Sequence, residues 1–303
     1  MMITMQLEPT WKVSDIPFLS ADHPMVMAHR GNSSGAPENT MAAFLEAATL
    51  EVDCLETDVR MTVDGELVFF HDAKVDRTTD GHGRIARLSL IELQRLDAGH
   101  GFKDASGNHP FRNQGHQVVT VRDALMALPH MKFNMDIKSR DPSAPRLLAG
   151  LLEELDATGR VMVGSFWQKQ INRFRHISDA PTSAGIFDVL RFRRFARRHA
   201  RGDALTDTPL NQREVFGKTL PYAALQIPER MGPITILHGE TFVQFARAVN
   251  IAVHVWTVNE RVNMARLLNI GVDGIFTDVP RVLLEIINRP NWHWYKEDND
   301  KFT

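Results

Sequence analysis

"ETDVRMTVDGELVFFHD", from Glu56 to Asp72, sets two carboxylates two residues apart on an apolar strand and ends a second apolar run in His-Asp. Side chains alternate along a strand, so Glu56 and Asp58 share a face. Asp64-Gly65 between the runs is a hairpin turn signal. With those two residues as the loop, Asp58 lies opposite His71, and Glu56, Asp58 and His71 gather on one face. The gathering depends on register, and a slip of one residue undoes it.

Outward from this hairpin, short apolar runs alternate with helical patterns. The strand candidates are "MVMAHRG", "CLETDV", "ELVFFHD", "KFNMDIK", "VMVGSF", "TSAGIF", "AALQIP", "AVHVWTV" and "GIFTD". Several are apolar almost throughout, as parallel strands covered on both faces are. Between them, Met41, Phe44, Leu45 and Ala48 repeat at helical spacing, as do "RDALMAL", "PRLLAGLLEELDATG", "TFVQFARAVN" and "RVNMARLLNIG". The alternation predicts α/β architecture, a (β/α)8 TIM barrel. Nine candidates exceed eight staves, so one strand of the opening hairpin is expected to be an addition to the barrel. The chain of 303 residues reads as a single domain with its core at about 25–285. Residues 74–117 combine a short amphipathic helix with glycine-rich loops and read as a small inserted subdomain on the catalytic rim. Residues 286–303 read as a C-terminal tail packed by its aromatics.

Composition narrows the function. Apolar residues make up 43% and charged residues 24%, as in a folded soluble protein. A net charge of −2 gives no reason to expect a nucleic-acid partner. The single cysteine, Cys54, rules out an internal disulfide, argues against a cysteine-based zinc site and reads as a small buried residue. The first residues lack a signal peptide's basic start and apolar run, and no stretch of about 18 apolar residues occurs. A cytoplasmic location is expected.

Chemistry in such barrels gathers where strands end. "MVMAHRG" ends in His29 and Arg30, "ELVFFHD" in His71 and Asp72, "CLETDV" carries Glu56 and Asp58, and "KFNMDIK" carries Asp136 and Lys138. Three carboxylates converging on one mouth repel unless they are protonated or bridged by a cation. Oxygen-only ligands favour Mg2+ or Ca2+. Arg30 and Lys138 suit a phosphate, and two histidines can act as base and acid across a P–O bond. Together they describe metal-assisted hydrolysis of a phosphodiester. Each group alone has a plainer role: a solvated acid, a structural histidine, a strand-ending lysine. Asn39 or Thr40 reads as a helix N-cap. Trp256 is either barrel packing or an apolar wall for substrate. His100, His109 and His116 lie in the insertion, either exposed or touching a lid. The stretch "RFRRFARRHAR", 191–201, carries six arginines around a stripe of Phe192, Phe195 and His199. It is either a solvated helix face or a weak contact for an anionic lipid surface or acidic substrate.

The combined motifs resemble the glycerophosphodiester phosphodiesterases, within the phosphatidylinositol-phospholipase-C-like TIM-barrel superfamily. The matching pieces are "AHRG" at 28–31, "PENT" at 37–40, "ETD" at 56–58, "DGELVFFHD" at 64–72, "RTTDGHG" at 77–83, "LDAG" at 96–99, "MDIK" at 135–138, "SF" at 165–166, "VWTVN" at 255–259 and "GVDGIFTD" at 271–278. The resemblance implies His29 and His71 as the catalytic pair, Glu56, Asp58 and Asp136 as ligands of one divalent cation, and Arg30 and Lys138 facing phosphate. It implies hydrolysis of a small glycerophosphodiester to glycerol 3-phosphate and an alcohol, with lysophospholipids as the substrate of some relatives. The family usually has glutamate where this chain has Asp136, which leaves metal choice open. Related toxin phospholipases D use aspartate, but they are secreted and disulfide-bonded. A barrel that binds phosphorylated ligands without hydrolysing them would lack a histidine or a metal acid, and this chain lacks none. Headgroup and oligomeric state are not legible.

Overall fold

In the computed structural model, residues 15–199 and 210–287 are described. The strands are β1 (Met25–His29), β2 (Cys54–Met61), β3 (Leu67–Phe69), β4 (Lys132–Ile137), β5 (Val161–Gly164), β6 (Ala224–Ile227), β7 (Arg230–Met231), β8 (Ile234–Thr235), β9 (Ala252–Val255) and β10 (Gly274–Thr277). The helices are α1 (Met41–Thr49), α2 (Leu90–Leu93), α3 (Val121–Ala127), α4 (Ala144–Glu154), α5 (Gln168–Arg175), α6 (Ile186–His199), α7 (Gln212–Phe216), α8 (Glu240–Ala248), α9 (Arg261–Asn269) and α10 (Pro280–Ile287). Seven strands run parallel in the order β5-β4-β2-β1-β10-β9-β6. Thr182 bridges β5 and Ser183 bridges β6, both in parallel, so this pair joins the two ends of the sheet. The "TSAGIF" stave is therefore only two residues long, because its remainder turns into α6 from Ile186 onward. With β3 outside the ring, the nine candidates resolve into a (β/α)8 barrel.

Alternation sorts the strand residues into two cores. Outward-facing Val26, Leu55, Val59, Phe133, Val163, Leu225 and Val253 pack under the helices. Inward-facing Met25, Met27, Cys54, Met162, Ala252 and Phe276 fill the floor with Phe18 and Leu19 of a 3-10 turn. Cys54 is fully buried. One layer higher, register places His29 beside Glu56 and Glu56 beside Asn134; a layer above that, Asp58 lies beside Asp136. Apolar side chains thus fill the bottom of the barrel and ionisable ones the top.

The hairpin corrects one expectation. Val59 pairs with Phe69 and Met61 with Leu67, a register in which Asp58 lies opposite Phe70, not His71. The loop has three residues, Val63 to Gly65: Thr62 N–H donates to Glu66 O at 3.0 Å, and Gly65 N–H to Thr62 O at 3.2 Å. A two-residue type I′ loop needs positive φ at both residues, and here only Gly65, at +88°, has it. Asp64 instead accepts from the Thr62 hydroxyl and from Leu90 N–H. Phe70 packs beneath the insertion with Val68, Val75, Ile85, Leu93 and Val118. The insertion's helix α2 starts in a capping box of Ser89 and Glu92. His100, His109 and His116 are half-buried rather than exposed; His109 Nδ1 lies 2.7 Å from Phe102 O.

Gly31, at φ +85°, follows β1 so closely under α1 that a Cβ there would stand 2.7 Å from Ala43 C. Gly31→Ala combines left-handed strain with a backbone clash and should cost about 2–4 kcal/mol, read from urea unfolding.

Candidate active site

The upper layer opens into a cavity of about 300 Å³. One side is ionic: His29, Arg30, Glu56, Asp58, His71, Asp136 and Lys138. The other side is apolar: Phe166, Ile186, Val189, Ile227, Met231 and Trp256. All eight residues singled out in the sequence line this one cavity. Trp256 packs edge-on to Phe166, with ring centroids 5.9 Å apart, and also borders the barrel floor.

His71 reaches the cavity despite the register. It stands two residues past the end of β3, where strand alternation no longer binds it. The Arg60 guanidinium holds the His71 carbonyl oxygen at 2.6 and 2.9 Å, which fixes the turn. The His71 ring is set by Asp72, whose Oδ1 is 2.7 Å from Nδ1. His29 is held the same way by Asp278, Oδ1 to Nδ1 at 2.6 Å. Each histidine therefore has a carboxylate on Nδ1, which leaves Nε2 as the nitrogen not engaged by that carboxylate. Burial works to lower the His29 pKa, but Glu56 and the Asp278 hydrogen bond outweigh it and the net shift is upward.

The buried acids are compensated unevenly. Burial opposes charge on Asp58, yet Lys138 and Arg30 hold its carboxyl below the ordinary range. Lys138 Nζ stands 3.2 Å from Asp58 Oδ1 and 2.5 Å from Asp136 Oδ2, and Arg30 Nε stands 3.3 Å from Asp58 Oδ2. Glu56 is pushed up to about 7 by burial and by the charge on Asp58. Asp136 Oδ1 is buried without a hydrogen-bond partner. A bound cation would relieve both the raised Glu56 and the orphaned Asp136 oxygen, so the donor set fits a hard divalent ion. Lys138 now stands between two of the three acids. Among the described residues, no three His, Cys, Asp or Glu groups already converge at coordinating distance.

Of the two N-cap candidates, Thr40 caps α1, accepting from Ala43 N–H. Several contributors were not assigned from the sequence. Asn39 is buried and donates Nδ2–H to Asp58 Oδ2 at 3.1 Å. Glu38 accepts from Arg30 at 2.9 Å and from both terminal nitrogens of Arg77 at 2.6 and 2.7 Å. Arg77 Nε also donates to Asp72 at 2.6 Å. Asp72, without a role in the sequence, therefore orients His71 and anchors Arg77. Asp278 closes the quoted "GVDGIFTD" motif, but nothing in the sequence connects it to His29. Beneath the cavity, His254 is fully buried and pushed down to about 4 by burial, so it is neutral.

Burial would raise the Asp278 carboxyl, but hydrogen bonds from His29, Asn259 and Ser33 hold it at about 2 against an ordinary 3.8. Its folded value lies below its unfolded one, so this stabilisation is present above about pH 4 and is lost as pH falls through about 2. Asp278→Asn should cost about 1–2 kcal/mol at pH 6, discounted for partial exposure, with the gap to wild type closing at acid pH in urea unfolding.

Known proteins resemble this chain in sequence and in fold. The model of the glycerophosphoryl diester phosphodiesterase family matches residues 29–282. A Mycobacterium tuberculosis protein named "Probable glycerophosphodiester phosphodiesterase 2" is 31% identical over 282 residues, covering 91% of this chain and 96% of its own. A Bacillus subtilis glycerophosphodiester phosphodiesterase is 28% identical over 295 residues, covering 92% of each. The fold matches an Oleispira antarctica phosphodiesterase solved with its product sn-glycerol-3-phosphate. The TM-score is 0.66 at 22% identity, over 87% of this chain and 96% of that one. A match that begins at His29 and ends past Asp278 takes in both histidines and all three acids at the barrel mouth, and the chain belongs to the glycerophosphoryl diester phosphodiesterase family.

Proposed function

We propose that this glycerophosphodiester phosphodiesterase works with one divalent cation, Mg2+ or Ca2+, held by Glu56, Asp58 and Asp136, and with His29 and His71 as general acid and base. The observation that carries this reading is the pair of carboxylate-held imidazoles, Asp278–His29 and Asp72–His71, flanking one cavity lined by buried acids. A hard ion bound there supplies Lewis acidity to a phosphoryl oxygen. One imidazole Nε2 takes the proton from the nucleophile, either water or a neighbouring glycerol hydroxyl whose attack forms a cyclic phosphate that water then opens. The other returns a proton to the departing alkoxide. Arg30 and Lys138 neutralise the charge that grows on the phosphoryl oxygens. Asp72 and Asp278 hold the ring tautomers through the reaction.

The apolar wall favours a second reading, a lysophospholipase D in which the acyl chain lies along Phe166, Val189, Met231 and Trp256. A panel running from glycerophosphocholine to lysophosphatidylcholine separates the two. Loss of turnover on adding an acyl chain would exclude the lipid substrate.

His29→Ala and His71→Ala should each lower kcat by about 100-fold or more with unchanged unfolding curves. Near-wild-type turnover in both would refute the assignment. Excess chelator should abolish turnover, and Mg2+ or Ca2+ should restore it; full activity in chelator would remove the ion from the mechanism.

A further inference from the structure

The rim beside the apolar wall has a surface that the hydrolysis of a small glycerophosphodiester does not use. Eleven large apolar side chains are exposed among the described residues, and five of them fall in three short segments: Phe166 and Trp167, Phe187 and Leu190, and Ile234. These segments follow three consecutive staves, β5, the Thr182–Ser183 stave and β6. The segments touch one another. Gln168 Nε2–H donates to Asp188 Oδ2 at 3.1 Å, and Arg193 Nε–H donates to Thr235 O at 2.6 Å. Their neighbours Ile186, Val189 and Met231 line the cavity, so the exposed apolar rim continues its apolar wall. The other six exposed apolar side chains are dispersed through the sequence, as is ordinary for a protein surface.

Helix α6 carries this rim into a cationic stripe. Its exposed positions are Phe187, Leu190, Arg191, Arg194, Arg197 and Arg198, which recur at helical spacing on one face. Val189, Phe192 and Ala196 are buried on the opposite face. Among the described residues, no carboxylate lies within ion-pair distance of Arg191, Arg193, Arg194, Arg197 or Arg198. The positive field is felt nearby: partial burial, Arg193 and Arg197 lower the pKa of His238. Residues Ala200 and Arg201 of the arginine-rich stretch lie outside the described residues.

We propose that α6 and the adjoining rim form a docking surface for an anionic lipid bilayer, with Phe187, Leu190, Trp167 and Ile234 entering the interface and the α6 arginines meeting lipid phosphates. An apolar tip followed by arginines that have no ion-pair partner among the described residues, all on one helix face, is the pattern of an interfacial helix. Each arginine near an anionic leaflet strengthens partitioning about fivefold. A polyanion such as RNA would match the arginines but give no reason for apolar side chains on the same stripe. The protein's net charge of −2 means that attraction must come from this face rather than from the whole molecule.

Co-sedimentation with phosphatidylcholine vesicles, with and without phosphatidylglycerol, tests the proposal independently of the catalytic assignment. The wild-type protein should partition onto the phosphatidylglycerol vesicles and come off in high salt. Arg194→Gln with Arg197→Gln should weaken partitioning about twentyfold. Phe187→Ser with Leu190→Ser should weaken it even at low salt. Both variants should hydrolyse a water-soluble glycerophosphodiester at the wild-type rate, because none of the four residues lines the cavity. Failure of wild type to bind, binding unchanged in both variants, or binding to a single-stranded oligonucleotide but not to vesicles would overturn the proposal.

Discussion

Two carboxylates forced inward on one strand set the terms for everything at the barrel mouth. Glu56 and Asp58 are both buried, and a closed parallel barrel gives their side chains nowhere else to point. A buried charge has to be neutralised or paired. Asp58 is paired, by Lys138 just after β4, by Arg30 just after β1 and by the Asn39 amide. Glu56 is not fully paired and tends toward protonation. The site is therefore anionic in a way that its own cations only partly offset, and that imbalance is what makes a bound cation chemically reasonable there.

The charges are layered by depth. Methionines, a cysteine and two phenylalanines fill the floor beneath the acids. Above them Asn134 lies beside Glu56 and accepts from the Gln226 side-chain amide at 2.6 Å, with the neutral His254 next to Gln226. The ionic groups crown the barrel beside an apolar wall on the far staves. The cavity thus has one half suited to a phosphodiester and one half suited to hydrocarbon or to the carbon face of glycerol.

Much of this was legible before any coordinates, for a definite reason. Strand periodicity is a local property, so Glu56 with Asp58, and Asp136 with Lys138, could be placed on common faces from spacing alone. His29 and Arg30 were legible because they end a run that is otherwise apolar. The hairpin register was misread because Asp64-Gly65 fits two turn geometries; the choice turns on the sign of φ at Asp64, which its contacts with Thr62 and Leu90 settle. The partners of the histidines were less accessible still. Asp278 lies 249 residues from His29, and Arg77 lies 39 residues from Glu38, so only the folded barrel brings either pair together.

Arg77 belongs to the insertion, yet its guanidinium grips Glu38 of the β1–α1 loop and Asp72 of the β3 turn together. Through those carboxylates it reaches Arg30 and His71. The insertion is therefore not a detachable module laid over a finished barrel. A chimera that exchanged it between relatives would also exchange the far end of the scaffold on which His71 and Arg30 rest. An exchanged loop would have to return one cation to the position of Arg77 to bridge Glu38 and Asp72 again.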